Sequence, residues 1–375
     1  MVDLAWRMLW HDKTRFMITV SGVAFAVALV FVQVGLFLGL LNNASVTIKH
    51  MDADLWITPH NTSNVDFANF FPETYIERVR SIPGVSRADN LIVFFMFMTL
   101  PSGSRESVEV YGMEDFRRWN FPWKVSEGNL DDLRRGNYIF MDQSATRRFG
   151  PFSTGEYREL MDRRVKIIGK TSDAVSFTTT PLVFMDYHRA QVLGGDTLEK
   201  RASYGLVKLS PGADVEQVRQ EIMRRLPHND VHTKAEWSRL SESYWVDNTG
   251  IGLNMYLTVF LGVLVGVVVV TQTLYTSTIE HIKEYGTVKA IGGRNRDLYF
   301  VIGKQALIAA VLGFAVGGAM AWSLRGGVER AGLKLLISPE MAVMVGSGAV
   351  VLCLAAALIS IRKVAKLDPA LVFRT

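Results

Sequence analysis

Four long blocks of apolar residues constrain this chain more than any other feature of its sequence. They cover residues 16–41, 251–275, 300–324 and 341–361, and Lys304 is the one charged residue among them. A helix needs about 20 apolar residues to cross the hydrocarbon core of a bilayer. The chain of 375 residues is 49% hydrophobic, with a mean hydropathy of +0.17. The sequence therefore predicts four transmembrane helices.

The charged residues predict the orientation of these helices. The long segment 42–250 contains 26 basic and 28 acidic residues, so the excess positive charge lies beside the apolar blocks. The high sequence pI of about 9.2 therefore comes from basic residues next to the membrane, and it does not indicate a nucleic-acid partner. Short loops rich in lysine and arginine stay in the cytoplasm. Three segments are therefore predicted to be cytoplasmic: residues 1–15, 276–299 and 362–375.

Two segments are then expected on the outer side of the membrane. One is the short loop 325–340, although it contains Arg325, Arg330 and Lys334 and so opposes the charge rule. The other is residues 42–250. A segment of that length is large enough for one hydrophobic core or for two small lobes.

The outer segment has the pattern of a mixed α and β domain. Two units in which a helix is followed by a turn and a strand are visible: residues 75–82 precede Pro83, and residues 215–226 precede Pro227. β-rich stretches predict strands at residues 53–58, 91–99, 108–112, 165–168 and 204–209. The expected fold is an α-helical membrane protein with four transmembrane helices and a mixed α+β extracytoplasmic domain inserted between the first and second.

Residues 1–15 contain Trp6 and Trp10 among basic residues. This pattern predicts a helix lying on the inner surface of the membrane, with the tryptophans at headgroup depth. A short helical extension of the first span fits the same residues.

No motif predicts catalysis or metal binding in this chain. Residues 164–171 resemble a nucleotide-binding loop, but Arg164 stands where a Walker A loop needs a glycine. His228 and His232 are four residues apart, but Pro227 predicts a turn entering a strand instead of a helix that presents two ligands. The first, second and fourth blocks contain no Asp, Glu, Lys or Arg, which argues against a proton-driven transporter.

Glycines four residues apart occur in three of the four blocks. Small residues at this spacing let transmembrane helices approach closely. The spacing is common in glycine-rich spans, but three pairs together favour a tightly packed bundle or a dimer. The predicted helix-packing residues are Gly35, Gly39, Gly262, Gly266, Gly313 and Gly317.

The segment between the second and third blocks carries the most specific pattern. Residues 278–291 are charged and amphipathic, with Ile279, Ile282 and Tyr285 at helical spacing, and Gly292 begins a glycine pair that follows them. A short rigid helix here would transmit force from a soluble protein to the spans. An ordinary solvated connector fits the same pattern.

The stretch from Glu280 to Gly292 reads EHIKEYGTVKAIG. It resembles the signature E-x-x-x-E-x-G-x-L-K-A-I-G of the FtsX/MacB-type ABC transporter permeases, with Val288 in place of the usual leucine. The layout of the spans and the tail at residues 366–370 also resemble that family. Shorter stretches resemble its DevC-type members, which are associated with glycolipid export: residues 11–16, 22–26, 53–55, 162–166, 209–215 and 244–245.

The resemblance implies a role for the segment between the second and third spans. In that family it is the coupling helix, which docks on a separate ATPase subunit. The residues that match the signature, or lie on the same helical face, are Glu280, Ile282, Glu284, Tyr285, Gly286, Lys289, Ala290 and Gly292. The implied assembly is a homodimer in the bacterial inner membrane, with both termini in the cytoplasm and two copies of a cytoplasmic ABC ATPase. ATP and magnesium would then be bound by the ATPase, and this chain would bind no cofactor and would not itself be an enzyme.

The resemblance also implies partners outside the cytoplasm. A periplasmic membrane-fusion adaptor and an outer-membrane channel would complete an exporter of a lipid-like or amphiphilic substrate. The alternative is a signalling subunit like FtsX, which moves no cargo and activates an extracytoplasmic hydrolase. A third reading is a membrane-anchored enzyme with its active site in residues 42–250.

Overall fold

The computed structural model describes residues 13–178, 180–280, 287, 295–331 and 333–365. The chain divides into two compact units, of which the first is Met1–Gly39 with Leu253–Thr375 and the second is Leu40–Gly252. Among the described residues, four helices are long and apolar enough to cross a membrane, which agrees with the predicted number.

The first unit contains long helices, whereas the second unit contains mostly short helices and strands. The helices are α1 (Lys13–His50), α2 (Tyr75–Arg80), α3 (Thr146–Phe149), α4 (Tyr187–Gly194), α5 (Val215–Arg225), α6 (Lys234–Asp247), α7 (Ile251–Glu280), α8 (Asn295–Arg330) and α9 (Pro339–Ala365). The strands are β1 (Leu55–Pro59), β2 (Phe71–Pro72), β3 (Val85–Thr99), β4 (Arg105–Met113), β5 (Val125–Glu127), β6 (Tyr138–Asp142), β7 (Tyr157–Leu160), β8 (Arg163–Thr171), β9 (Leu182–Asp186), β10 (Arg201–Ala202), β11 (Tyr204–Leu209) and β12 (Asn229–Thr233).

All four long helices continue beyond the apolar blocks that predicted them, and α1 and α8 show the longest extensions. Helix α1 runs to His50 and not only to residue 41, because Ala44 and Ile48 are buried in the core of the second unit. Helix α8 runs to Arg330, so residues 325–330 are helical and do not belong to the predicted loop. Its last turns contain an ion pair of 2.8 Å between Arg325 and Glu329, one helical turn apart.

The first unit is a helix bundle with a core of small and branched side chains. Buried alanines dominate the contacts of α8 and α9, and the single cysteine, Cys353, is buried among them. Phe31 of α1 packs against Phe314 of α8, with ring centroids 5.8 Å apart. Such residues let the helix axes approach closely in an environment where lipid offers no hydrophobic driving force.

The second unit contains two lobes, and the first is a four-stranded antiparallel sheet. Its strand order is β12-β1-β11-β3, with α2 and α5 packed on one face around Leu55, Val79 and Ile222. This is the split β-α-β arrangement. The two predicted helix–turn–strand units are confirmed, because they form α2 with β3 and α5 with β12. The side chain of Asp214 caps α5 by accepting hydrogen bonds from the next turn.

The second lobe is a small closed barrel. Strands pair in the ring β3-β4-β9-β6-β8-β7, and β7 closes the ring by pairing Met98 of β3 with Leu160. The barrel is filled by alternate residues of its strands: Ile92, Met96, Val108, Val110, Ile139, Met141, Val165, Ile167, Val183 and Met185. The two lobes share β3, which has 15 residues.

The outer face of the barrel is buried as well. A second cluster of large side chains covers it, including Trp56, Tyr111, Trp119, Tyr204 and Trp237. Strand β4 is therefore enclosed on both sides over its second half. This enclosure determines the surroundings of the one acidic residue in that half of the strand.

Candidate coupling and transmission site

The predicted coupling segment falls largely outside the described residues. Ile282, Glu284, Tyr285, Gly286, Lys289, Ala290 and Gly292 all lie there, so their role stays a prediction. Glu280 is the last residue of α7 and is exposed. Helix α8 begins at Asn295. The segment is therefore bounded by two long helices, each of which is apolar enough to cross a membrane.

The glycines of α7 lie against α1. A Cβ atom added to Gly262 would lie 2.5 Å from Leu29, and one added to Gly266 would lie 2.8 Å from Ala26. Both distances are shorter than van der Waals contact. The helix that leads to the predicted coupling segment thus approaches α1 closely at both glycines. At Gly266 the neighbouring atom is the fixed Cβ of Ala26, whereas at Gly262 it is the flexible end of the Leu29 side chain.

The glycines of α8 lie against the same helix. A Cβ on Gly313 would lie 2.4 Å from the side chain of Val23. One on Gly317 would lie 2.5 Å from the carbonyl oxygen of Ala24, which is a backbone atom and cannot move aside cheaply. Helix α1 is therefore the common partner of α7 and α8.

The third pair of glycines belongs to α1 itself and contacts the segment after α8. A Cβ on Gly39 would lie 1.9 Å from the carbonyl oxygen of Lys334, and one on Gly35 would lie 2.8 Å from Leu335. The amide of Leu336 donates a 3.0 Å hydrogen bond to the carbonyl of Gly35. A stretch of non-helical backbone is thus fixed against α1 by hydrogen bonding and by the absence of side chains.

In the second unit, the end of α1 is joined to α6. Ser45 Oγ donates a 2.5 Å hydrogen bond to Glu242 Oε1, and Lys49 Nζ lies 2.7 Å from the same oxygen. We call Ser45, Lys49 and Glu242 the clasp. Residue 45 closely follows the first span along the chain, and α6 ends three residues before α7 begins. The clasp therefore links the two chain segments that connect this domain to the first and second spans.

A pair of buried carboxyl groups lies next to the clasp helices. Asp66 and Glu109 are 3% and 0% exposed, and their side chains are within hydrogen-bonding contact of each other. The amide of Val65 donates to Ser241 Oγ of α6 at 3.1 Å. The hydroxyl of Tyr111, two residues after Glu109, lies 3.4 Å from Thr47 Oγ1 of α1. We call Asp66 and Glu109 the carboxyl pair.

The carboxyl pair lacks the partners that buried acids normally have. No described donor makes a hydrogen bond of normal geometry to Asp66 Oδ2 or to either carboxyl oxygen of Glu109, although the hydroxyls of Tyr111 and Ser176 lie close enough to act on Glu109. Burial raises the pKa of Asp66 to about 7. Burial, reinforced by the charge of Asp66, raises the pKa of Glu109 well above its usual range. The raised pKa values follow from the cost of placing an unpaired negative charge away from water.

Other buried acids of the domain are satisfied in the ordinary way. Asp142 accepts hydrogen bonds from Thr171 Oγ1 and the amides of Ser144 and Ala174. Asp89 accepts from Arg80 and from the indole nitrogen of Trp119. The carboxyl pair differs from these acids because three of its four carboxyl oxygens lack such hydrogen bonds.

Sequence reasoning did not identify the carboxyl pair, because its members are 43 positions apart and neither belongs to a motif. One signal was present in the strand that contains Glu109. Both of its neighbours, Val108 and Val110, and the next residue on its own face, Tyr111, are large and apolar. An acid within such a run is a candidate for burial.

The two motifs that the sequence argued against have ordinary structural roles. Residues 164–171 lie within strand β8, and Lys170 pairs with Glu127 at 3.2 Å. His232 lies on β12 and stacks on Trp237, with ring centroids 5.3 Å apart. The predicted turn and strand at Pro227 are confirmed.

These features define a multi-pass membrane protein with four spans and an α+β domain inserted after the first. Two family models match it: the MacB-like periplasmic core domain over residues 16–225 and the FtsX-like permease C-terminal domain over residues 256–369. The first alone covers more than half of the chain. The chain belongs to the FtsX/MacB family of ABC transporter permeases. The resemblance to the DevC-type members stays a prediction.

Curated relatives match along nearly the whole chain. The ABC transporter permease Rv0072 of Mycobacterium tuberculosis is 24% identical over 378 residues, covering 99% of this chain and 97% of the relative. The permease MJ1507 of Methanocaldococcus jannaschii is 20% identical over 342 residues, covering 84% and 82%. Both are named as ABC transporter permeases.

Solved structures with some similarity correspond to the inserted domain. The periplasmic region of MacB from Actinobacillus actinomycetemcomitans is 13% identical with a TM-score of 0.40, covering 50% of this chain and 92% of that chain. The extracellular domain of the transporter YknZ from Gram-positive bacteria is 14% identical with a TM-score of 0.37, covering 48% and 99%. These similarities are too distant to add to the assignment.

Proposed function

We propose that this chain is the transmembrane subunit of an exporter, and that it works as a homodimer with two copies of a separate cytoplasmic ATPase. The observation that carries the proposal is the match of two permease family models, which between them cover both the inserted domain and the last three spans. ATP and magnesium belong to the ATPase in this proposal, and the chain itself catalyses no reaction. Its location is the inner membrane of a bacterium, with both termini in the cytoplasm.

The segment between α7 and α8 is the contact with the ATPase in this proposal. Glu280, Glu284 and Lys289 make charged contacts, while Ile282 and Tyr285 fill an apolar notch. Gly286 allows close approach of the two backbones, because it has no side chain. The flanking helices support this role. Helices α7 and α8 both pack on α1 through glycines, so a movement of the segment between them would also move α1.

The outer side of the molecule receives the cargo in this proposal. The substrate is lipid-like or amphiphilic, and a periplasmic adaptor and an outer-membrane channel carry it onward. The absence of charged residues from the apolar blocks 16–41, 251–275 and 341–361 supports an ATP-driven and not an ion-driven process.

The coupling role can be tested by changing Glu284→Ala and Gly286→Leu in the full chain expressed with its ATPase. We expect each variant to lose co-purifying ATPase, or to retain it with a turnover that no longer responds to the permease. Glu329→Ala is the matched control, because it removes an exposed acid paired with Arg325 at the far end of α8. Coupling that survives both changes would refute the assigned role.

The rival function is transmembrane signalling in the manner of FtsX. The extensive domain of residues 40–252 and the uncharged apolar blocks favour it as much as export. Purification in mild detergent discriminates between the two functions. An ATPase with an adaptor supports export, whereas an ATPase with a cell-wall hydrolase supports signalling.

A further inference from the structure

We infer that Asp66 and Glu109 form a proton-binding site, in which the two carboxyl groups share a proton at neutral pH and hold the loop around Asp66 against the clasp helices. The inference concerns the inserted domain alone and does not depend on the proposed function. It rests on the position, burial and partners of the two side chains.

The hydrogen-bonding capacity of the two carboxyl groups requires a proton. An ionised carboxylate only accepts hydrogen bonds, whereas a protonated one also donates. Two ionised carboxylates in contact therefore repel each other, and three of the oxygens of Asp66 and Glu109 receive no hydrogen bond of normal geometry from the described residues. A proton between the two groups supplies the missing donor. It also removes one of two charges that would otherwise be buried.

Among the residues that the structure describes, no basic side chain acts on the carboxyl pair. The groups that act on the carboxyl pair are hydroxyls: Tyr111 on β4, Tyr204 on β11 and Ser176 in the loop before β9. Burial raises the pKa of both tyrosines, so they are neutral at physiological pH. On the helices, Thr47 of α1 and Ser241 of α6 are uncharged, and the charges of Lys49 and Glu242 pair with each other.

Loss of the proton would weaken the attachment of the loop around Asp66. The loop around Asp66 is held by backbone groups that face the same core. Tyr204 donates hydrogen bonds to the carbonyls of Asn64 and Val65, at 3.1 and 3.0 Å, and the Val65 amide binds Ser241 of α6. Repulsion between two adjacent buried negative charges would be relieved by moving this loop outward. A rise in pH would therefore release the contact between the loop and α6.

The occupant is a proton in this inference, and a metal cation is the competing occupant. Among the described residues no group of three or more acidic, histidine or cysteine side chains is placed to hold a metal. The carboxyl pair has only two acids. A shared proton requires nothing more than those two.

The experiment is infrared difference spectroscopy of the full chain in lipid vesicles, titrated from pH 6 to pH 9. A protonated carboxyl has a carbonyl stretch that an ionised one lacks. We expect this signal at pH 6, its loss as the pH rises, and its loss or reduction by at least half in Glu109→Gln and in Asp66→Asn. Amides can donate, so these variants keep a hydrogen bond between the two side chains and are expected to fold.

Asp89→Asn is the matched control, since it removes a buried acid that already has Arg80 and Trp119 as partners. It should leave the signal unchanged. The inference is overturned by a signal that persists in both Glu109→Gln and Asp66→Asn. It is also overturned by a pair that is ionised at pH 6 and responds to calcium or a chelator in place of pH. If Glu109→Gln does not accumulate as folded protein, Asp66→Asn alone decides the result.

Discussion

Ser45 donates a 2.5 Å hydrogen bond to the carboxylate of Glu242, although the two residues are 197 positions apart. Ser45 lies in α1, and Glu242 lies in α6, the helix that only three residues of chain separate from α7. The same carboxylate is paired with Lys49. One side chain therefore joins the segment by which the chain enters this domain to the segment by which it leaves.

We predict that Glu242→Ala destabilises the inserted domain by about 1–2 kcal/mol, because it removes a hydrogen bond and an ion pair to a partly buried acid. Fluorescence-detected thermal unfolding of the full chain in detergent measures the effect. Arg105→Ala is the control, since its pair with Asp162 is exposed on both sides, at 59% and 67%. Exposed pairs contribute about 0–1 kcal/mol. Equal shifts in the two variants would contradict the importance of the clasp.

We predict that Asp89→Ala costs about 2–3 kcal/mol, since it leaves the buried indole nitrogen of Trp119 without an acceptor. Glu77 provides an internal control, because it binds the same Arg80 at 2.6 Å but is 65% exposed. Glu77→Ala should cost less than about 1 kcal/mol. The two unfolding curves in urea give the comparison. A larger effect from Glu77→Ala would show that Arg80, and not the buried acid, carries the stability.

Two neighbouring glycines of α8 offer a matched test of helix packing. Gly317→Ala would place a Cβ atom 2.5 Å from the carbonyl oxygen of Ala24, whereas the contact of Gly318→Ala with Phe31 would be an ordinary 3.9 Å. We expect Gly317→Ala to destabilise the bundle by about 1–3 kcal/mol. Gly318→Ala should be neutral or stabilising, because alanine favours a helix by about 1 kcal/mol over glycine. Denaturation in mixed micelles measures both, and similar losses would mean that α8 does not contact α1 through Gly317.

We predict that the carboxyl pair makes the inserted domain less stable as the pH rises. Free Asp and Glu have pKa values of about 4. In the folded chain burial raises the pKa of Asp66 to about 7. It also raises the pKa of Glu109 well above the usual range of a glutamic acid. The folded state therefore binds more protons than the unfolded state above about pH 4. The stabilisation is complete below that pH and is lost as pH rises through 7.

The measurement is the free energy of unfolding of the wild-type chain, of Asp66→Asn and of Glu109→Gln, compared from pH 5 to pH 8. Each titration that a variant removes should flatten the slope by up to about 1.4 kcal/mol per pH unit. A difference is needed because His232 acts in the opposite direction: burial lowers its pKa, so its contribution grows with pH. Parallel curves for all three proteins would count against the shared proton.

Much of the architecture could be predicted because it depends on local patterns. The four spans follow from the length of uncharged apolar blocks. The units that became α2 with β3 and α5 with β12 follow from a helical period that ends at a proline. Strand β11 was predicted at its observed bounds, Tyr204–Leu209. In each case the deciding residues lie within a few positions of one another.

The remaining features depend on contacts between distant residues. The barrel closes through Met98 and Leu160, and nothing near either residue indicates that pairing. The predicted end of α1 was too early because Ala44 and Ile48 are stabilised by tertiary burial and not by a long apolar run. Glu109 lies in a strand predicted at residues 108–112, but no local pattern indicates that both faces of β4 are covered. The carboxyl pair could not be predicted for the same reason.

The contacts of Gly35 and Gly39 have a consequence for the loop between α8 and α9. Because the amide of Leu336 bonds to Gly35 and the carbonyl of Lys334 occupies the space beside Gly39, this loop is attached to α1 through main-chain atoms. A substitution within the loop changes side chains but leaves that attachment in place. An antibody fragment that binds residues 333–338 would therefore hold α1 as well as the loop.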